Sequence, residues 1–279
     1  MTHQWPGGAR CVAVFSCDFD GTGNEIGKKL APAGINAAGG YSARRGVARM
    51  LDIFDRHGIP ATFFVPGYDA EQHPDVVRSI IRAGHEVAAH GYVHESFDVP
   101  EDEEERLLRM SHDILVDVTG TAPLGWRSPG GKKSSITLRV LRELGYIFDS
   151  SDKDYDMPYP AVVSGEPSRE MVEIPNNTAT LDDSPLYVQG ARTPEEVLDL
   201  WRAEFDALYH DTGYFIVTFH PRAGFGSGTP ARAGVVDRLI SYIQTYPDVH
   251  FSNLGSLARW CLDPAHGFMT PEVRLGGRA

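Results

Sequence analysis

Short apolar runs and amphipathic stretches alternate along the whole chain. Runs rich in β-branched and aromatic residues at 10–16, 61–65, 86–89, 124–127, 146–149, 171–174, 214–219 and 249–251 predict strands. Stretches at 41–58, 74–83, 100–119, 134–144, 193–209, 231–245 and 254–260 predict helices. Val47, Leu51 and Phe54 share one face of the first helix, and Leu107, Ile114, Leu115 and Val118 supply the apolar face of the third. Gly58, Gly84 and Gly145 stand where three helices should stop. Thr193, Pro194 and Glu196 spell an N-cap, a first helical position and a capping box. The acidic run 101–105 reads as a solvated helix start, favoured by the positive end of the helix dipole.

Strand–helix units repeated in one chain imply an α/β protein with a parallel sheet, either open or closed as a barrel. The sequence shows no internal repeat and no Pro/Gly/Ser-rich linker, so one domain over 1–279 is expected, with its core at about 10–262. The segment after Pro264 is expected to pack loosely. Two stretches, 21–40 and 151–170, read as long loops, and loops of that length in a compact domain are usually functional.

Composition narrows the function classes. The chain has 279 residues, 42% hydrophobic and 23% charged, which suits a full globular core. Its formal net charge of -12 argues against a nucleic-acid partner or an anionic membrane surface. Cys11, Cys17 and Cys261 are too few and too scattered for a disulfide framework or a four-thiolate metal site, and each reads as a small buried residue. No apolar run approaches the roughly 20 residues of a membrane helix. The first eight residues contain no apolar signal core, so the expected location is the cytoplasm.

The chemistry-bearing residues gather where predicted strands end. Cys17-Asp18-Phe19-Asp20-Gly21 places two carboxylates two positions apart, on one side of an extended chain. Like charges that close are costly unless a cation or a shared proton relieves them. The competing reading has Asp18 capping a turn into Gly21 and Asp20 solvated. His90-Gly91-Tyr92-Val93-His94 follows another strand, and imidazoles four apart on one helical turn could reach a single ion. Arg127, in Trp126-Arg127-Ser128-Pro129-Gly130, could hold an aspartate ionised, or form an ordinary interior salt bridge. His220 ends the strongest strand of the second half, where a histidine can serve as a general acid or simply fill the rim. Asp149 ends another strand and could orient a neighbour or line a pocket.

Taken together, these phrases resemble the polysaccharide deacetylase family, also called the NodB-homology or carbohydrate esterase 4 family. The resemblance spans about residues 12–220. It rests on the His90 to His94 phrase, on Arg127-Ser128-Pro129-Gly130, on His220-Pro221, and on the run 55–65, which is similar to that family's second strand and its lead-in. The resemblance implies a distorted (β/α) barrel and metal-dependent hydrolysis of an amide, usually an N-acetyl group. It implies Asp20, His90 and His94 as metal ligands, Asp18 as general base, Arg127 as its tether and His220 as general acid. Zinc suits the two imidazoles and one carboxylate, although cobalt, nickel or iron can bind such a set. One feature departs from the family pattern: its two aspartates are usually adjacent, and here Phe19 separates them. That variant is similar to a subgroup without secretion signals, which includes peptidoglycan-deacetylase-like proteins, cyclic imide hydrolases and metal-free allantoinases. The last lack the metal histidines that this chain carries. Resemblance to the subgroup also implies a homo-oligomer.

The expected function is therefore a cytoplasmic, metal-dependent hydrolase of non-peptide C–N bonds, acting as an N-deacetylase on an N-acetylated sugar. A hydrolase of small cyclic imides or amides is the alternative within the same chemistry. A non-catalytic carbohydrate-binding barrel is the alternative from another class.

Overall fold

In the computed structural model of the chain, the described residues are 5–268, apart from 97 and 178. The strands are β1 (Cys11–Asp18), β2 (Thr62–Val65), β3 (Glu86–Ala89), β4 (Gly125–Trp126), β5 (Phe148–Asp149), β6 (Tyr159–Val163), β7 (Glu166–Glu173), β8 (Tyr214–Phe219) and β9 (Val249–Ser252). The helices are α1 (Gly23–Gly27), α2 (Val47–His57), α3 (Gly67–Gln72), α4 (Pro74–Arg82), α5 (Glu101–Thr119), α6 (Thr137–Glu143), α7 (Asp183–Val188), α8 (Pro194–His210), α9 (Pro230–Ile243) and α10 (Leu254–Leu262).

The strands form one sheet in the order β6-β7-β5-β4-β3-β2-β1-β8, parallel throughout except for the β6–β7 pair. On its other edge β1 pairs first with β9 and then with β2. No hydrogen-bonded ladder joins β6 to β8 among the described residues, so the expected distorted (β/α) barrel is a half-barrel left open on one side. All eight residues of β1 are buried, as expected of a parallel strand covered on both faces.

Strand parity sorts the side chains into two cores. In β1, Cys11, Ala13, Phe15 and Cys17 face outward and pack with Phe54, Trp201, Phe205 and Val236 of the surrounding helices. Val12 and Val14 face inward and join Phe64, Ala88, Phe148, Val172, Tyr214 and Ile216. That inner core is closed by Leu254, Leu257 and Cys261 of α10 and by Trp5. The Leu254 and Gly255 amides bond Thr62 Oγ1 and Glu86 Oε2 at 2.9 Å, which fixes α10 over the strand beginnings. At the opposite end the inward positions turn polar: Ser16 and Asp18 after Val14, His90 after Ala88, Thr218 and His220 after Ile216. The chain thus builds an apolar plug below and a polar floor above, at the C-terminal strand ends.

Most predicted elements are present, and the capping box at Thr193 and Glu196 forms as read. All three cysteines are free and buried, and no helix among the described residues is long and apolar enough to cross a membrane. Several expectations change. The 151–170 stretch is largely an antiparallel hairpin, β6–β7, turning through Ser164 and Gly165, both at positive φ, as a two-residue hairpin turn requires. Stretch 21–40 carries α1 and a 3-10 segment, Gly34–Gly39. The helix expected at 134–144 shortens to α6, whose lead-in is occupied by Ser134 and Thr137 hydrogen bonds. The core also passes its expected 10–262 limits: the rings of Trp5, Trp260 and Phe268 pack against one another, tilted or edge-on. The rest of the tail, 269–279, lies outside the described residues.

Candidate active site and metal centre

Asp18, Asp20, His90, His94, Arg127 and His220 all line one cavity of about 440 Å³ at the C-terminal ends of the strands. In open and barrel α/β folds this is the end where loops deliver functional groups.

Asp18 is the last residue of β1 and keeps the inward parity of Val14 and Ser16. Arg127 reaches it from the end of β4, its Nη1 donating to Asp18 Oδ1 at 2.7 Å. The guanidinium is otherwise fully engaged. Nη1 also donates to Ser16 Oγ and Thr218 Oγ1, Nε to the Ser150 carbonyl, and Nη2 to Ser150 Oγ, at 3.0–3.2 Å. Its face lies 4.0 Å over the Phe64 ring. A planar fork held by three other residues and an aromatic ring fixes the direction of Asp18.

Asp20 lies beyond the strand at φ 37°, in the left-handed region that a non-glycine residue occupies only when its surroundings impose it. The imposing contacts are visible: Arg222 Nη1 and Ser42 Oγ both donate to the Asp20 carbonyl. Arg222 is itself tied to Glu25 at 2.6 Å. His94 also sits in the left-handed region, at φ 56°.

The two histidines come together by a route other than the one expected. Residues 90–94 form a turn and not a helical turn: Gly91 has φ 67°, and a Cβ there would meet Pro129 Cγ at 2.9 Å. The Glu95 carboxylate accepts the Tyr92 and Val93 amides at 2.7–3.0 Å and so folds the turn. As a result His90 Nε2 lies 3.5 Å from Asp20 Oδ1 and His94 Nε2 lies 3.4 Å from Asp20 Oδ2.

These three residues fit a divalent cation. Their ligand atoms all lie within 4.8 Å of one another. Buried Asp20 Oδ1 has no hydrogen-bond partner, a state that costs free energy unless something else occupies it. His90 Nδ1 donates to the Arg127 carbonyl at 2.8 Å, the outer contact that leaves Nε2 as an acceptor in metal-binding histidines. Burial alone would raise the Asp20 pKa, but His94, His90 and His220 hold it well below the usual carboxylate range.

His220 continues the inward column of β8. Its Nδ1 donates to Asp183 Oδ1 at 2.6 Å and its backbone amide to Asp183 Oδ2 at 3.0 Å. Its Nε2 is then left facing Asp18 Oδ2 at 4.0 Å and Asp20 Oδ2 at 3.8 Å. Burial would lower the pKa of this imidazole, but the Asp183 carboxylate overrides it and raises the value to about 10. Asp182 is pushed up to about 7, by burial and by the like charge of Asp183 against the pull of His220.

Asp182 and Asp183 were not among the candidates read from the sequence. Asp182 caps α7 through Ser184 N and bridges Thr218 of β8, which sets Asp183 against His220. An Asp followed by Ser184-Pro185 is a helix-start signal, and it was legible in the sequence. Asp149 orients a neighbour, accepting from Ser151 Oγ at 2.5 Å, and does not line the cavity.

The chain is similar to several known proteins. The polysaccharide deacetylase family model matches residues 39–148, a span holding His90, His94 and Arg127. A peptidoglycan deacetylase of Helicobacter pylori is 29% identical over 88% of this chain and 94% of its own length. A crystal structure from Mycobacterium smegmatis that carries a polysaccharide deacetylase designation is 34% identical, covers 99% of this chain and 96% of its own, and superposes with a TM-score of 0.83. The PuuE allantoinase structure is 28% identical over 93% of both chains, with a TM-score of 0.80. With the half-barrel, the aspartate–histidine cluster and these full-length likenesses together, the chain belongs to the polysaccharide deacetylase family of metal-dependent hydrolases.

Proposed function

We propose that this protein hydrolyses the N-acetyl amide of an amino sugar, using Asp20, His90 and His94 to hold a divalent metal. One observation carries this reading: the arginine-held Asp18 carboxylate and the His220 imidazole face each other beside the aspartate–histidine cluster in a single cavity. Zinc is the first choice for a donor set of two imidazoles and one carboxylate, and when bound it supplies Lewis acidity toward the amide carbonyl and acidifies a water.

The chain's own residues do the rest. Asp18 has one oxygen committed to Arg127, which leaves Oδ2 to take the proton of the attacking water. Arg127 keeps that carboxylate aimed. His220, kept protonated by Asp183, offers its Nε2 proton to the departing nitrogen. Acetate release by the zinc-loaded protein from N-acetylglucosamine oligomers and peptidoglycan fragments tests this, with Asp18→Asn as the blank. Acetate above the blank supports the reading, and none from folded, metal-loaded protein overturns it.

A second reading, hydrolysis of small cyclic amides, draws support from the likeness to an allantoinase and from the small volume of the cavity. Ring opening of a cyclic imide by a preparation that releases no acetate would favour it.

A further inference from the structure

The proposed machinery leaves part of the cavity wall without an assignment. The charged residues lining it are Asp18, Asp20, Asp182, Lys28, Arg127 and Lys153. Each acid is engaged: Asp18 by Arg127, Asp20 by the histidines, Asp182 by the Ser184 amide. The two lysines have no carboxylate within 4 Å among the described residues, in a chain whose net charge is -12. Lys153 is an exposed residue at the cavity rim, and its Nζ donates to the Ser151 carbonyl at 2.9 Å. Gly131 makes room for it, since a Cβ there would come within 3.2 Å of that nitrogen. Other lysines of the same region behave differently. Lys132 pairs with Asp98, and Lys133 with Asp149, Asp152 and Glu173.

A second, independent observation lies beside it. Asn176 is 5% exposed and lines the cavity. Its Nδ2 donates to the Ser150 carbonyl at 3.2 Å, which fixes the amide orientation and leaves Oδ1 as the acceptor. That oxygen is buried and has no hydrogen-bond partner. Lys153 and Asn176 thus stand on the carbonyls of consecutive residues, one offering a cation and the other an unused acceptor. Buried polar atoms in native proteins are nearly always satisfied, so an unpaired one on a residue that lines a cavity points to a ligand group.

We propose that Lys153 and Asn176 form a substrate subsite that selects N-acyl compounds carrying a carboxylate, with Lys153 binding the anion and Asn176 Oδ1 accepting from a substrate N–H or O–H. This inference rests on the N-deacetylation reading and specifies its substrate class.

The test compares matched compounds: N-acetylglucosamine bearing a carboxylate at C3 as a lactyl ether, or at C6 as the uronate, each against its own methyl ester. The wild-type enzyme should favour at least one acid over its ester by about tenfold or more in kcat/KM, a preference residing in KM, as a full charge-assisted contact implies. Lys153→Met should collapse that preference and Lys153→Arg should keep it. No preference in the wild type, or a preference surviving in Lys153→Met, overturns the subsite. If the wild type hydrolyses none of the four, acetate release from the oligomers and peptidoglycan fragments still decides the deacetylation reading, and calorimetric binding of the same compounds decides the subsite. An acid-over-ester preference lost in Lys153→Met then supports it, and equal affinities overturn it.

Discussion

Two clusters of titratable side chains lie within this half-barrel, and they differ in what neutralises their carboxylates. In the first, Asp20 meets the Nε2 atoms of His90 and His94, and one of its buried oxygens has no partner. In the second, Asp149, Asp152 and Glu173 are just as close to one another, but Lys133 Nζ sits among them at 2.6, 2.7 and 3.2 Å. The second cluster is also saturated with donors. The Ser151 and Asp152 amides both bond Glu173 Oε1 at 3.0 Å, and Ser151 Oγ bonds Asp149. Burial and the Asp149 charge push Glu173 up, and Lys133 counters them. A carboxylate cluster that encloses its own ammonium is scaffold. One that offers imidazole lone pairs and an orphan oxygen is a receptor. The scaffold cluster still serves the site, because it fixes the Ser150–Ser151 segment on which Arg127 rests.

Metal analysis tests the comparison at its largest expected effect. His90→Ala and His94→Ala should each lose bound metal, and with it turnover, while circular dichroism stays native. Unchanged metal content in both variants would break the comparison at its first term. Asp18→Asn should keep the metal and lose about 10²- to 10⁴-fold in kcat, the usual contribution of a positioned acid or base. Retained activity in that variant would remove Asp18 as the base. Lys133→Met should do the reverse, keeping metal stoichiometry and losing about 3–5 kcal/mol of stability in denaturant titration, because it leaves buried carboxylates without their cation. Should Lys133→Met strip the metal as well, the two clusters are one system and the distinction is wrong.

The sequence carried much of the receptor cluster and little of the scaffold. Strand parity is local, so Asp18 could be placed on the same side as Val12 and Val14, and His220 on the same side as Ile216, before any contact was known. The phrases around His90, Arg127 and His220 were legible as resemblance. Lys133 was not, because its three partners lie 16, 19 and 40 positions away and meet only when β5 and β7 pair. Asp183 escaped for the same reason: it reaches His220 through the single Asp182–Thr218 bridge. The histidine pair was placed correctly through the wrong backbone. An i, i+4 spacing invites a helix, and Gly91 and Glu95 build a turn that achieves the same convergence. In the 151–170 stretch, the polar run Glu166 to Glu170 after Ser164-Gly165 lacks the apolar alternation of a strand, so the hairpin reads as a loop.

A third group, Asp182, Asp183 and His220, falls between the two and sharpens the comparison, because its resident cation can be titrated. Lys133 stays charged across any accessible pH, held there by Asp149 against the effect of burial. His220 stays charged only up to its raised pKa of about 10. A general acid must be protonated to work, so activity should persist through neutral pH and fall as pH rises through the His220 titration. Asp183→Asn removes the main charge that raises this pKa. It should move the alkaline limb of the rate profile down toward the ordinary histidine value of 6.5 and leave the acidic limb in place. The same shift acts on stability in the metal-free protein. The folded-state pKa lies above the unfolded one, so the contribution of His220 is fully present below about 6.5 and is lost as pH rises from there through about 10. The thermal stability of the metal-free wild type should therefore fall across that window, and Asp183→Asn should flatten the dependence. An unmoved alkaline limb in Asp183→Asn would show that His220 draws its charge from the cavity floor, and would join the first and third groups into a single receptor.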